Sequence, residues 1–309
     1  MNSIKRYAVL VLSFLIAGNA AFAITQKQLR HEFLILSAGD IEYRSEKPAA
    51  RKKLVGQGKR AVWLAIGYIG RKSPNIEMAI ASVITGVGED AVEPLTYVLT
   101  RPDEDEAAFA AYLLGKIGSE KSAVPLMLAA KSSGERLRSV AIGALGNCGD
   151  TLAVPILIEA LADTMPSVRR KAAHSLGQLK DVAAARALVP LLGDSCANIR
   201  YAASYAIASI GDSSVATLLL ERFKSDSIDE IERFHIVETL GLLHSRRALP
   251  LLFELLEDPS FLDRGFACQA LGHFRGNYEV ANALKRSLHD ASGFVRMMAG
   301  AALKSIQNG

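Results

Sequence analysis

Catalysis or metal binding in this 309-residue chain would have to begin with its six histidines, its three cysteines and the acids near them. A zinc protease needs two histidines one helical turn apart with a glutamate between them, and no HExxH occurs. His31, His174, His235, His244, His273 and His289 show no ligand spacing within any one helix, so each reads as an ordinary surface or half-buried side chain. Cys148, Cys196 and Cys268 form no CxxC, and three cysteines cannot all pair with one another. There is no phosphate loop and no GxSxG, and Gly56-Gln57-Gly58 lacks the third glycine of a dinucleotide fingerprint. The expectation is a chain with no catalytic residue, no metal and no cofactor.

The residue types that do recur at fixed spacing are those of binding and tethering. Their frame is the stretch 166–181, PSVRRKAAHSLGQLKD, whose pattern returns along most of the chain. Aligned on the leucine of Leu176-Gly177, the anchors are Ile84, Leu114, Leu145, Leu176, Ile207, Leu240, Leu271 and Leu303, at steps of 30 to 33 residues. Such a period marks a stacked repeat array. Seven positions before the anchors stand Arg138, Arg169, Arg200, Arg233, Arg264 and Arg296. Thirteen before stand Asp163, Asp194, Asp258 and Asp290, with Asp226 displaced by one. Stacking would align both columns into a ladder in which a carboxylate reaches guanidinium groups of its own or the adjacent copy. The ladder reads as structural. Two further columns, two and six positions before the anchors, hold Tyr112, His174, Tyr205, Glu238 and Gln269 in one and Arg170, Tyr201, Phe234 and Met297 in the other. Aromatic residues beside Arg and Glu concentrate at binding surfaces.

These columns need helices to carry them. From residue 57 eight copies follow, 57–88, 89–119, 120–150, 151–181, 182–212, 213–245, 246–276 and 277–309, each with two apolar-periodic segments. In the fourth, Leu152 to Leu161 is the first helix and Pro166 to Leu179 the second, with Val168, Leu176 and Leu179 on its apolar face. Pro166 suits a first helical turn, and Gly149 and Gly211 stand where a left-handed cap is wanted. Before the array, Gln26 to Ser37 fits one amphipathic helix that caps it, and Ser45 to Gly58 reads as a basic linker with Arg51-Lys52-Lys53 solvated. Cys148 and Cys268 fall in core columns. Cys196 falls in a turn and is the most exposed of the three.

Lys5 and Arg6 before the apolar run Tyr7 to Ala17, then Ala21-Phe22-Ala23, match a cleavable signal, giving a mature chain from Ile24 and a periplasmic or secreted location. The formal charge of +4 falls to about +2 without the leader, and spread charge of that size asks for no nucleic acid. No stable membrane insertion is expected after cleavage. Retention of the segment as an anchor is the alternative.

Two helices with Asp between them, Val/Ile-Arg opening the second and Leu-Gly closing it, is a pattern similar to HEAT repeats, in the short form of the phycobilisome-lyase group. The resemblance covers about residues 57–309. The first two copies depart from it: Ala107 takes the arginine position, and Ser73-Pro74-Asn75 has no matching Asp-to-Arg pair. It implies an all-α, right-handed α-solenoid of about eight two-helix repeats behind the capping helix. It also implies second helices on the concave face. Deoxyhypusine hydroxylase resembles this chain in repeat type and binds iron through His-Glu pairs early in second helices. The corresponding positions here read Arg170-Lys171, Tyr201-Ala202, Phe234-His235, Gly265-Phe266 and Met297-Met298, and the one His-Glu dipeptide is His31-Glu32 in the cap helix.

The functional expectation is an exported, non-enzymatic scaffold that takes a protein or peptide partner on its concave face. Tyr112, Arg170, His174, Tyr201, Tyr205, Phe234, Glu238 and Gln269 would form the contact surface. One alternative is a cofactor-binding or lyase-like enzyme of the same repeat class. The other is a structural envelope component that associates with itself through its C-terminal repeat.

Overall fold

The computed structural model describes residues 24–39, 41–225 and 227–307, and among them the regular structure is helical throughout, without strands. Residues 1–23, where a cleavable signal is expected, and Asp226 lie outside the described residues. The chain divides into two compact units, one up to Lys121 and one from Ser122 onward.

The first unit is a stack of three helical hairpins: α1 (Gln26–Ser37) with α2 (Lys47–Val55), α3 (Lys59–Ile66) with α4 (Pro74–Val87), and α5 (Val92–Leu99) with α6 (Glu104–Ile117). First helices lie against first helices, α1 on α3 and α3 on α5, while α2 packs on α4 and α4 on α6. This corrects the reading of 45–58 as a linker. Pro48 sits in the first turn of α2, and Ala50 and Leu54, one turn apart, are buried. The basic run on α2 is not simply solvated either. Lys53 Nζ reaches Glu32 Oε1 at 2.6 Å and Arg51 Nε donates to Ser82 Oγ at 2.9 Å. What precedes residue 57 is therefore a further hairpin rather than one cap helix with a tail.

The second unit continues the pattern with α7 (Ala123–Ala129) and α8 (Glu135–Cys148), α9 (Val154–Glu159) and α10 (Pro166–Leu179), and α11 (Ala183–Leu188) and α12 (Ala197–Ile210). It ends with α13 (Val215–Phe223) and α14 (Glu230–Leu242), α15 (Leu249–Leu255) and α16 (Phe261–Leu271), and α17 (Tyr278–Ser287) and α18 (Gly293–Gln307). The first helices are short, and α9 is flanked by 3₁₀ turns at Thr151–Ala153 and Ala160–Ala162. All eight anchors are buried on second helices, each fully buried Leu or Ile contributing about 1.5–3 kcal/mol.

Second helices touch almost backbone to backbone. A Cβ placed on Gly177 would stand 2.9 Å from Ala206 Cα, and one on Gly146, Gly241 or Gly272 would stand 2.8 to 3.0 Å from the Cα of Ser175, Ala270 or Ala302. The glycines of these four Leu-Gly pairs thus serve helix packing, and Ser175 uses the proximity to donate to the carbonyl of Ile142 at 2.9 Å. The left-handed caps fall a few residues later, at Gly118, Gly149 and Gly211. Lys180 takes the same conformation at φ 54°.

Candidate functional site

Between the two helices of a copy, each ladder aspartate opens an Asx turn. Its Oδ1 accepts the amide two residues on, from Met165 to Asp163, Cys196 to Asp194, Ser260 to Asp258 and Ser292 to Asp290, at 2.7 to 2.8 Å. The first turn of the second helix then presents its arginine in two directions. Arg169 Nη1 donates to the carbonyls of Asp163 and Thr164 in its own copy, while Nε and Nη2 fork onto the Asp194 carboxylate of the next at 2.8 and 3.2 Å. Arg138 does the same to Asp163, and Arg264 to Asp290. The carboxylate thus binds the preceding copy's arginine and the carbonyl binds its own.

Three rungs differ. Arg296 Nη1 bonds the carbonyls of Asp290 and Ala291 in its own copy. Arg200 donates through Nη1 to the Asp194 carbonyl at 2.7 Å, and its buried Nε has no partner among the described residues. The aspartate that follows in the sequence column is Asp226, which lies outside them. Arg233 does not pair with Asp258. Its guanidinium lies 4.4 Å over the Phe223 ring, with Nη2 3.8 Å from Asp263. A different pair, Arg222 forked onto Glu232 at 2.7 and 3.0 Å, holds that copy together.

The ladder has an electrostatic signature. The Arg138 bond holds Asp163 below the usual carboxylate range, and Arg264 does so for Asp290. At Asp194 burial pulls upward, but the bonds from Arg169 and the Cys196 amide outweigh it and the net shift is down. A carboxylate depressed on folding adds stability above its unfolded value, near 4, and loses it as pH falls through the folded one. Asp263, raised chiefly by burial, works in the opposite sense. We expect the urea midpoint to fall as pH drops below about 4, and Asp194→Asn to flatten that fall.

The side-chain columns meet different fates. Arg170, His174, Tyr201 and Tyr205 are exposed at equivalent positions of α10 and α12, Tyr201 by 41% and Tyr205 by 57%. Beside Arg170, burial of Lys171 and the neighbouring guanidinium lower that lysine's pKa. Tyr112 is also exposed, in the first unit, stacked on Phe109 at 6.2 Å. Phe234 and Gln269 are half-buried, Phe234 against Phe266 with ring centroids 4.2 Å apart. Glu238 is not an outward residue: only 8% of it is exposed, and its Oε2 lies 3.2 Å from His235 Nδ1. A carboxylate drawn inward needs such a partner.

His235 is the functional-type residue that sequence reasoning placed wrongly. It is 1% exposed, edge-on to Tyr201 at 4.8 Å, and its carbonyl accepts from the Thr239 hydroxyl, whose oxygen also lies 3.0 Å from Ser204 Oγ. Its spacing of three from Glu238 was the available signal, since residues one turn apart share a helix face. His244 and His273, far apart in sequence, also meet, with rings 6.0 Å apart beside a cleft of about 700 Å³. Burial, then His244, lowers the His273 pKa. Cys148 and Cys268 are buried and their thiols pushed up to about 11, chiefly by burial, while Cys196 is half-buried. Among the described residues no group of three or more His, Cys, Asp or Glu could hold a metal ion, and no helix is long and apolar enough to cross a membrane.

Stacked hairpins whose second helices carry an Asp-to-Arg ladder define an all-α solenoid. The HEAT repeats model matches residues 92–173, 124–197, 154–233 and 228–304, and the chain belongs to the HEAT-repeat family. Importin β is similar over 99% of this chain and 49% of its own, at 12% identity and TM-score 0.62. The E. coli protein YIBA is similar over 88% and 98%, at 17% and 0.51. The CpcE–CpcF complex of phycocyanin lyase from Nostoc sp. PCC7120 matches over 70% and 94%, at 24% and 0.42. At such identities the likeness is one of fold alone. No curated protein matches the chain by sequence.

Proposed function

We infer that this HEAT-repeat protein is an exported, non-enzymatic scaffold that holds a protein or peptide partner on the second-helix side of its second unit. The observation that carries this reading is the row Arg170, His174, Tyr201 and Tyr205, exposed on adjacent helices that touch at Gly177 and Ala206. Close approach of second helices turns their side inward, where a bound chain meets several copies at once. Aromatic side chains and Arg carry most of the energy at such contacts.

The test is affinity capture from the source envelope with the chain from Ile24 as bait, read by mass spectrometry. Tyr201 also packs on His235, so Tyr205→Ala is the cleaner probe. It should weaken capture of the retained partner at least tenfold with helicity and melting unchanged. Capture indifferent to Tyr205, or a chromophore or stoichiometric metal on the purified protein, would remove this reading in favour of a cofactor-binding one. N-terminal sequencing of the native protein tests export, Ile24 being the residue expected first.

A further inference from the structure

The first unit contains a cleft of about 590 Å³ between α1, α3 and the turn that follows α3. Its chemistry is lopsided. Arg30, Arg60 and Arg71 line it with Trp63 and Tyr68, and no carboxylate is among the lining residues. Among the described residues no acid pairs with any of the three guanidinium groups. Arg60 donates to two neutral acceptors, the Ile24 carbonyl and Gln57 Oε1, each at 3.1 Å. Arg71 lies over the Tyr68 ring, 4.6 Å from its centroid. Arg30 forms no ion pair among the described residues. Glu106, whose carboxylate lies against Gly70, is already paired with Arg101 at 2.8 Å.

Trp63 lines this cleft, is 48% exposed, and packs on Tyr97 with ring centroids 5.9 Å apart. A large indole left open next to three guanidinium groups that no acid among the described residues neutralises is an unusual use of surface. Planar guanidinium forks match oxyanions in two-point contacts, and an indole offers a flat apolar face to a ring. The volume falls in the range of small-ligand sites.

We propose that this cleft binds a small ligand with an aromatic or heteroaromatic ring and an oxyanion, the ring on Trp63 and the phosphate or carboxylate on Arg30 and Arg71. The site is separate from the second-unit surface and does not depend on it.

Trp63 is the one tryptophan of the chain, so its emission reports on this cleft alone. The full chain is titrated with phenyl phosphate, phenylacetate and benzylamine. At least one of the two anions should change Trp63 emission saturably, with benzylamine without effect, and the tighter of the two identifies the head group. Arg30→Gln with Arg71→Gln should raise the half-saturating concentration at least tenfold, Arg30→Gln alone by less. Lys27→Gln, on α1 but outside the lining, should leave it unchanged. No saturable response to either anion, an equal response to benzylamine, or a half-saturation unmoved by the single and double arginine variants would overturn the proposal.

Discussion

Replacing Arg169 by alanine should cost the second unit about 2–3 kcal/mol, read as a lower urea midpoint. The substitution removes four donated bonds at once, two to the Asp194 carboxylate and two to the carbonyls of Asp163 and Thr164. It leaves Asp194, with 10% of its side chain exposed, ionised and held by one backbone amide. Water reaches the rim of the pair, so the figure stays below that of a fully buried one. Arg200→Ala should also lower the melting temperature, since Arg200 Nη1 donates to the Asp194 carbonyl at 2.7 Å. A urea midpoint unchanged in Arg169→Ala would show that the fork onto the next copy contributes nothing.

The second large effect is expected at Gly177. Alanine there gains about 1 kcal/mol of helix propensity yet sets its Cβ 2.9 Å from Ala206 Cα, a backbone atom that cannot step aside unless α12 moves. Overpacking of this kind costs about 1–3 kcal/mol, and with a contact on backbone the upper half of that range applies, so a net loss of about 1–2 kcal/mol remains after the propensity gain. Gly143→Ala supplies the control. Its new methyl would meet the Lys171 side chain, at 3.1 Å from Cδ, and a flexible lysine can yield. That variant should be neutral or slightly stabilised, and thermal melting of the two side by side separates backbone contact from a general intolerance of side chains.

Much of the architecture was legible because it is written locally and then repeated. Pro166 marks where α10 begins, Leu176 marks its core, and the same spacing carried to Leu145 and Ile207 finds the neighbouring layers. The errors arose where a residue's setting depends on another element. Three consecutive basic residues and nearby glycines disguised α2, whose signal was the weaker Ala50 and Leu54 pair. Column position alone made Glu238 outward, since a column says nothing of the imidazole one turn earlier that draws it in. His244 and His273 meet only because adjacent loops do. Arg233 departs from the ladder because the Phe223 ring offers it a flat face. For the proposed binding row, sequence could identify Tyr201 and Tyr205, and burial then separated them from Phe234 and Gln269.

The wiring of Arg138, Asp163, Arg169 and Asp194 has a sense along the chain: guanidinium reaches forward, carboxylate reaches back. A cassette such as 151–181 therefore carries one plug and one socket. Duplicated in tandem within the second unit, it would lengthen the stack with every charge still matched, whereas an inserted piece carrying Asp163 without Arg169 would leave one carboxylate without its guanidinium.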